Sequence, residues 1–217
     1  MKNNMEEQNM DNKLKYITKL IPYAKKLGLK SLRIDEIAKY MDISKATMYK
    51  YFSSKDEMVE LMINMYVKYI SKYDIELING KSSYLERFEV AFEQTLLIEI
   101  YISDIFLLDL QNMYTELYEK IKYAKQKRNQ NLLKFYEQGI SDGVFNDINS
   151  KLILIEDELM IRKLLDPNLL IKHDITMKQA IFDLYRLKKF QLFKHNEQYD
   201  DTNIIQKIEQ IIHKQNV

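Results

Sequence analysis

Residues 34–58, IDEIAKYMDISKATMYKYFSSKDEM, have the pattern of a helix, a tight turn, a second short helix and the start of a third. The first helix is predicted from apolar residues that share one face, namely Ile34, Ile37, Ala38 and Met41. Asp42 interrupts that pattern, and Asp tolerates turn conformations. Ser44 then offers a hydroxyl that can cap free backbone amides, so the second helix is expected to begin at Lys45.

The second helix has one apolar face and one basic, aromatic face. Met48 and Phe52 lie four residues apart and are expected to face the core. The residues expected to point outward are Lys45, Ala46, Thr47, Tyr49 and Lys50. Ser54 and Glu57 have the spacing of a capping box, which predicts that a long third helix starts there.

Two lysines, Lys45 and Lys55, fall in the first turn of a predicted helix. The helix dipole disfavours a cation there by about 0.3–1 kcal/mol, so each lysine needs a compensating partner. A DNA phosphate would be suitable, because helix-start amides and a lysine together bind anions.

The ordered residues of this stretch resemble the TetR/AcrR family of bacterial regulators. The resemblance rests on Glu36-Ile37-Ala38 and on the run Ser44-Lys45-Ala46-Thr47-Met48-Tyr49-Lys50-Tyr51-Phe52-Ser53-Ser54-Lys55-Asp56-Glu57-Met58. Two positions depart from the family pattern: Asp42 replaces the usual turn glycine, and Arg33 replaces the usual small hydroxyl residue. Asp42 is expected to preserve the turn, and Arg33 to contact phosphate.

This resemblance implies an all-α fold. An N-terminal three-helix helix-turn-helix domain, residues 1–57, would be joined by a long helix to a C-terminal bundle, residues 58–217, for effector binding and dimerisation. Residues 1–12 are polar and aperiodic, and we expect them to form a disordered tail.

Composition limits the possible classes of protein. A chain of 217 residues that is 46% hydrophobic can bury one substantial core and carry a small second unit. It contains no cysteine, which suits a reducing cytoplasm and excludes disulfides and thiolate metal sites. It shows neither a membrane-length apolar run nor a hydrophobic signal segment, so a soluble cytoplasmic protein is expected.

Positive charge is concentrated around the predicted helix-turn-helix. Between Lys13 and Lys55, eleven Lys and Arg face three Asp and Glu, a net charge of +8, although the whole chain carries only +1. Neutralisation of a DNA backbone requires such a concentration. A solvated lysine-rich face is the alternative reading of the charge alone.

The first helix is predicted from a stripe formed by Leu14, Ile17, Ile21 and Ala24, ending before Gly28. Pro22 lies inside it and predicts a kink or a later start. After the motif, a helix from Asp56 is expected to close near Gly80, and the apolar segment from Ile98 to Leu110 to be buried on all sides.

A long helix is predicted from about Tyr114 to Gly139, followed by a turn that contains Gly143 and resembles the family's seventh-helix turn. Helices from Asn149 or Ser150 to Leu165 and from Ile175 to Phe193 resemble the family's dimerising pair. The amphipathic segment 204–215 could dock on its own subunit or on a partner.

Catalytic, cofactor and metal sites are not indicated by the sequence. The glycines form no phosphate-binding loop, and His173, His195 and His213 lack metal-ligand spacing. Asp104 and Asp109 lie five residues apart, so a helix would place them on different faces. We therefore expect no enzyme, no cofactor and no metal.

An effector cavity is suggested by Met and aromatic side chains, although most of these should simply form the core. The candidate ligand-binding residues are Met62, Met65, Tyr66, Tyr69, Phe88, Phe92, Phe106, Tyr114 and Tyr118.

The sequence thus predicts a homodimeric, ligand-responsive repressor that binds a palindromic double-stranded operator and is released by a small hydrophobic or aromatic effector. The candidate DNA-binding residues are Arg33, Ser44, Lys45, Ala46, Thr47, Tyr49, Lys50, Tyr51 and Lys55. Among them Lys45, Ala46, Thr47 and Lys50 are expected near base edges, and Arg33, Tyr49, Tyr51 and Lys55 at phosphates. The alternative is a helical interaction or scaffold protein of the same fold that has lost DNA and effector binding.

Overall fold

A computed structural model describes residues 2–72, 81–194 and 201–213. Within them the chain is all-α. The helices are α1 (Lys2–Leu27), α2 (Ile34–Tyr40), α3 (Lys45–Tyr51), α4 (Lys55–Ser71), α5 (Tyr84–Tyr101), α6 (Asp104–Met113), α7 (Thr115–Ser141), α8 (Ser150–Leu164), α9 (Pro167–Lys172), α10 (Met177–Leu192) and α11 (Thr202–His213).

The described chain forms two compact units. The first comprises the residues up to Ser71 together with Tyr101–Lys125, and the second comprises the remainder. These compact units do not test the predicted division into a DNA-binding domain, residues 1–57, and an effector-binding domain, residues 58–217, which stays a prediction. In these described ranges, no helix has both the length and the apolar character needed to cross a membrane.

Helix α1 is longer than expected. It begins at Lys2, so the expectation of a disordered tail over residues 1–12 is corrected for residues 2–12. This segment contains neither Gly nor Pro, and its two Met, two Glu, one Gln and one Lys favour helix, although its four Asn do not. Pro22 lies inside the helix and exposed, so the helix does not start there.

The core of the first unit is built from α1 to α4 and α6. Ile17, Leu20 and Ala24 of α1 are buried, as are Ile37 and Met41 around α2. Helix α6 is tied to the end of α1 and the segment that follows. Ser103 donates a hydrogen bond to the carbonyl of Lys25 (2.7 Å), and the backbone amide of Lys30 donates to Asp109 (2.8 Å).

The apolar segment 98–110 is not a single buried element. Helix α5 ends at Tyr101, and Ser103 caps α6 by accepting a hydrogen bond from the amide of Phe106. Phe106 and Leu110 are buried on α6, but Ile105 and Leu108 are exposed. The prediction of burial on all sides is therefore wrong. The helix breaks between Tyr101 and Asp104, so α6 is a separate amphipathic helix with one buried and one exposed face. The predicted closure of α4 near Gly80 lies outside the described residues.

In the second unit, α7 ends in a turn that requires glycine at two positions. A Cβ on Gly139 would come within 2.1 Å of the Phe145 ring, and Gly143 has a φ of +74°. The turn then pairs with the end of α10, because the amide of Asn146 donates to the carbonyl of Leu192 (2.7 Å). These contacts explain the glycine spacing in physical terms.

Helices α8, α10 and α11 lie close to the positions predicted from the sequence. Asn149 caps α8, as one of the two predicted starts requires, and Thr176 forms a capping box at the start of α10. Helix α9 was not predicted; Asp166 caps it and Pro167 occupies its first position, so the expected stop signal also starts a short helix.

Helix α11 docks on its own subunit. Its apolar face is buried within the single chain, through Ile204, Ile208, Ile211 and Ile212. Lys178 of α10 pairs with Glu209 of α11 at 2.6 Å. This answers the question that the sequence left open for the described part of segment 204–215, while residues 214 and 215 lie outside the described residues.

Candidate nucleic-acid interface

Helix α3 is fixed from behind and open in front. Met48 and Phe52 are 0% and 1% exposed, as their spacing predicts. Ser44 caps the helix by accepting a hydrogen bond from the amide of Thr47 at 3.0 Å. The opposite side carries the exposed residues Lys45, Ala46, Tyr49 and Lys50. A short basic and aromatic surface is therefore held rigidly by two buried anchors.

The turn before α3 keeps its geometry without glycine. Asp42 has a φ of +58°, in the left-handed region that Asp tolerates better than most residues. Its carboxylate lies 3.1 Å from the ammonium of Lys19 on α1. The expectation that Asp42 preserves the turn is confirmed.

Lys45, at the start of α3, pairs with Asp35 of α2. This hydrogen bond lowers the pKa of Asp35 and raises that of Lys45. Both side chains are largely exposed, so a DNA phosphate could compete for the ammonium. The sequence analysis did not identify Asp35 as this partner.

Lys55 has a structural role that the sequence did not reveal. Its ammonium donates to the carbonyls of Leu29 (2.6 Å) and Leu32 (2.7 Å), which lie between α1 and α2. Burial lowers the pKa of Lys55. Two backbone carbonyls therefore already compensate the cation at this helix start, so a phosphate is not needed for that purpose.

The remaining candidates flank α3. Tyr51 is half-buried with its ring 5.2 Å from that of Tyr16, and the Lys50 ammonium lies 5.9 Å from the Tyr51 ring. The hydroxyls of Ser44 and Thr47 share a 2.9 Å hydrogen bond, so Ser44 contributes mainly to the cap.

Arg33 precedes α2 with an extended backbone and an exposed side chain that makes no capping bond. Asp35 and Glu36 in the first turn of α2 provide the charge that favours a helix start. The Arg33 side chain therefore lies exposed beside the helix-turn-helix.

A further ion pair holds the start of α4. Lys13 of α1 lies 2.5 Å from Glu57, which also accepts hydrogen bonds from the amide and hydroxyl of Ser53. The bond from Lys13, followed by those from Ser53, lowers the pKa of Glu57 to about 2. Ser54 caps the same helix through the Glu57 amide at 3.1 Å.

The nine candidate effector residues belong to both compact units. The first unit contains Met62, Met65, Tyr66, Tyr69, Phe106, Tyr114 and Tyr118, and the second contains Phe88 and Phe92. Some have structural partners: the Tyr66 and Phe106 rings meet edge to face at 5.7 Å, and the Tyr114 hydroxyl donates to Asp56 at 2.7 Å. In the second unit, Phe88 also lines a cavity of about 150 Å³.

Metal ligands do not cluster in the part of the chain that the structure describes: no three His, Asp or Glu side chains there are grouped to hold an ion. Asp109, one of the two carboxylates weighed as a possible catalytic pair, accepts a hydrogen bond from the backbone amide of Lys30 and has a structural role.

Comparison with known proteins agrees with this geometry. The profile of the bacterial regulatory proteins of the tetR family matches residues 25–62, which include α2, α3 and the start of α4. A comparison with curated proteins found no match.

Several solved structures share the fold. A transcriptional regulator from Saccharomonospora viridis in complex with choline has a TM-score of 0.63 at 15% identity, covering 86% of this chain and 100% of that one. The ketosteroid regulator KstR2 of Mycobacterium tuberculosis has a TM-score of 0.58 at 16% identity, covering 84% and 95%. FadR from Bacillus subtilis in complex with stearoyl-CoA has a TM-score of 0.53 at 15% identity, covering 81% and 96%.

The matched N-terminal segment and the shared all-α architecture agree with the exposed, anchored helix α3. The chain therefore matches the tetR family of bacterial regulatory proteins over residues 25–62 and shares its fold with solved transcriptional regulators.

Proposed function

We propose that the protein is a homodimeric repressor in the cytoplasm that binds a near-palindromic operator and is released by a small hydrophobic or aromatic effector. Residues 1–57 would bind DNA, and residues 58–217 would bind the effector and dimerise. The observation that carries the proposal is α3, whose basic face is exposed while Met48 and Phe52 anchor it from behind.

On the operator, α3 of each protomer enters a major groove, with the two helices about 34–36 Å apart or somewhat further. Lys45, Ala46, Thr47 and Lys50 lie at base edges, where Ala46 can meet a thymine methyl group and Lys45 a guanine edge. The phosphate contacts come from Arg33, Tyr49 and Tyr51. Lys55 is omitted because its ammonium holds two backbone carbonyls.

An exposed apolar stripe supports the dimer. Leu152, Ile155 and Leu159 share one face of α8 and are each more than half exposed. Leu187 and Phe190 of α10 are exposed as well. Large apolar side chains grouped in this way indicate an interaction surface. We assign them to a four-helix bundle formed with α8 and α10 of a second copy.

Effector binding is supported by the fold and by what similar folds bind. The S. viridis regulator binds choline and the B. subtilis regulator binds stearoyl-CoA, so this architecture accommodates ligands of different size. An effector acts as an inducer only if it binds better to a state whose recognition helices no longer match the groove spacing.

The proposal is tested by selecting bound duplexes from a random pool and titrating the selected operator and a scrambled duplex at several salt concentrations. We expect tighter binding to the operator than to the scrambled duplex. We also expect the logarithm of the affinity to fall linearly with the logarithm of the salt concentration. Lys45→Ala and Thr47→Ala should alter sequence preference, whereas Tyr49→Ala should weaken binding to all sequences. No salt-dependent affinity for any duplex would instead favour the interaction or scaffold protein.

A further inference from the structure

A cavity of about 150 Å³, partly open to solvent, lies in the second unit and is lined by α8 and α10 together with Phe88 and Ile148. Most of its wall is apolar and comes from Phe88, Ile148, Ile153 and Leu192. An apolar cavity of about this volume accepts a benzene-sized molecule in an engineered protein. The space therefore suits one six-membered ring or a branched aliphatic group of similar size.

Part of the cavity wall is charged. Lys188 lines the cavity and is only 3% exposed, and its ammonium lies 2.7 Å from Asp157 and 3.0 Å from Glu156. The second carboxylate oxygen of Asp157 accepts a hydrogen bond from the Tyr136 hydroxyl at 3.0 Å. Both oxygens of Asp157 are therefore occupied, and Asp157 holds Lys188 in place.

Glu156 differs from Asp157, because it lines the cavity and is partly exposed. Its Oε2 meets Lys188, but its Oε1 accepts no hydrogen bond from any residue that the structure describes. Gln191 lines the same cavity. A few polar residues thus border a small, mainly apolar space, an arrangement typical of ligand sites.

The sign of the charge selects the ligand class. One ammonium, that of Lys188, is shared between the two carboxylates of Asp157 and Glu156, so the cluster has a formal excess of one negative charge when both are ionised. Burial raises the pKa of Asp157, and the Lys188 ammonium opposes that shift. A buried charge is tolerated best when it is fully paired, so a second cation would complete the cluster and an anion would meet repulsion.

We propose that this cavity binds a small primary amine, with its ammonium on Glu156 and its ring among Phe88, Ile153 and Leu192. The site goes beyond the proposed function, because it lies between the two helices assigned to the dimer and shares only Phe88 with the candidate effector residues. Leu152, which also lines the cavity, is 58% exposed and belongs to the proposed dimer face. Amine binding is therefore placed where it can influence dimerisation.

The test uses the full chain without DNA, so that its outcome is independent of operator binding. Benzylamine, benzyl alcohol and benzoate share a ring and differ in the charge of the head group. Calorimetric titration should give the tightest binding for benzylamine and the weakest for benzoate. Isoleucine methyl NMR should show shifts at Ile148 and Ile153 and little change at the exposed Ile155 of the same helix.

The variant Glu156→Gln keeps the shape of the side chain and removes its charge. We expect it to weaken benzylamine about tenfold or more while leaving benzyl alcohol nearly unchanged, as for the loss of one hydrogen bond to a charged group. Glu158→Gln is the matched control, since it makes the same chemical change two residues away on α8, outside the cavity wall. It should leave benzylamine binding as it is.

Three results would overturn the proposal. The first is tighter binding of benzoate than of benzylamine, which would assign the site to anions. The second is an equal loss of benzylamine binding in Glu156→Gln and Glu158→Gln, which would show that only the net charge of the protein matters and not the position of Glu156. The third is no binding of benzylamine up to about 10 mM while the protein is dimeric, as expected if a side chain of a second copy fills the cavity.

Discussion

Replacing Lys55 by methionine tests whether this lysine stabilises the fold or contacts DNA. The ammonium donates to the carbonyls of Leu29 and Leu32, at 2.6 and 2.7 Å, and thereby holds the segment between α1 and α2. Both leucines are buried. Methionine keeps an apolar chain of similar length but offers no donor, so the substitution removes both hydrogen bonds and little packing.

The expected loss of stability follows from these two bonds. A hydrogen bond from a charged group contributes about 1.5–3 kcal/mol when it is buried. Lys55 is only partly buried and water can replace part of this interaction, so we expect the free energy of unfolding to fall by about 2 kcal/mol in total. For a chain of this size that corresponds to a decrease in Tm of about 4–8 °C.

The assay combines thermal unfolding, followed by circular dichroism, with operator titration at several salt concentrations. We expect Lys55→Met to lower Tm and to leave the slope of log affinity against log salt unchanged. Arg33→Met is the control: Arg33 is exposed just before α2, makes no capping bond and is assigned to phosphate, so Tm should stay constant while the slope becomes less steep by about 0.9 for each phosphate that the variant no longer neutralises. A normal Tm with a reduced slope in Lys55→Met would refute the structural role.

Three more predictions concern the same unit. Tyr49→Ala should weaken selected and scrambled duplexes about equally in an anisotropy titration and change stability by no more than about 0.5 kcal/mol, because the side chain is exposed. Asp35→Asn should release Lys45 and remove a negative charge, so it should tighten binding to every duplex at low salt; unchanged affinity would contradict this. Glu57→Gln should reduce stability at pH 7 by about 1 kcal/mol after allowance for solvent screening of its pair with Lys13. Because the pKa of Glu57 is lowered from 4.5 to about 2, that difference should be full above pH 4.5 and vanish as the pH falls towards 2 in urea unfolding.

The helix-turn-helix was predictable because its signals are local. The cap at Ser44 and the spacing of Met48 and Phe52 depend on neighbours within one or two helical turns. The turn at Asp42 is equally local, since an Asp can adopt the positive φ that a glycine usually supplies there. The pattern therefore predicted both the elements and the orientation of α3.

Other features depend on residues distant in the chain or on weak local preferences. Helix α1 starts at Lys2 although residues 2–12 have no clear apolar stripe; the segment contains no Gly or Pro that would end the helix. Ile105 and Leu108 are exposed although their segment is strongly apolar, since composition does not reveal the direction of a short helix. In the second unit, Asp157 and Lys188 lie on different helices far apart in the chain, so neither spacing nor motif could bring them together.

The two helix-start lysines show that a correct physical premise does not identify the partner. Each cation needed a partner, and the sequence offered a phosphate as the common answer. The structure gives Lys45 an exposed carboxylate, with which DNA would compete under the proposed function, and gives Lys55 two carbonyls of its own subunit. An unfavourable charge at a helix start therefore indicates that a partner exists and not which partner it is. If Lys55 makes no phosphate contact in either protomer of the proposed dimer, two fewer phosphates are neutralised. The slope of log affinity against log salt should then be less steep by about 2 than it would be if every candidate phosphate-contacting residue, Lys55 included, bound DNA.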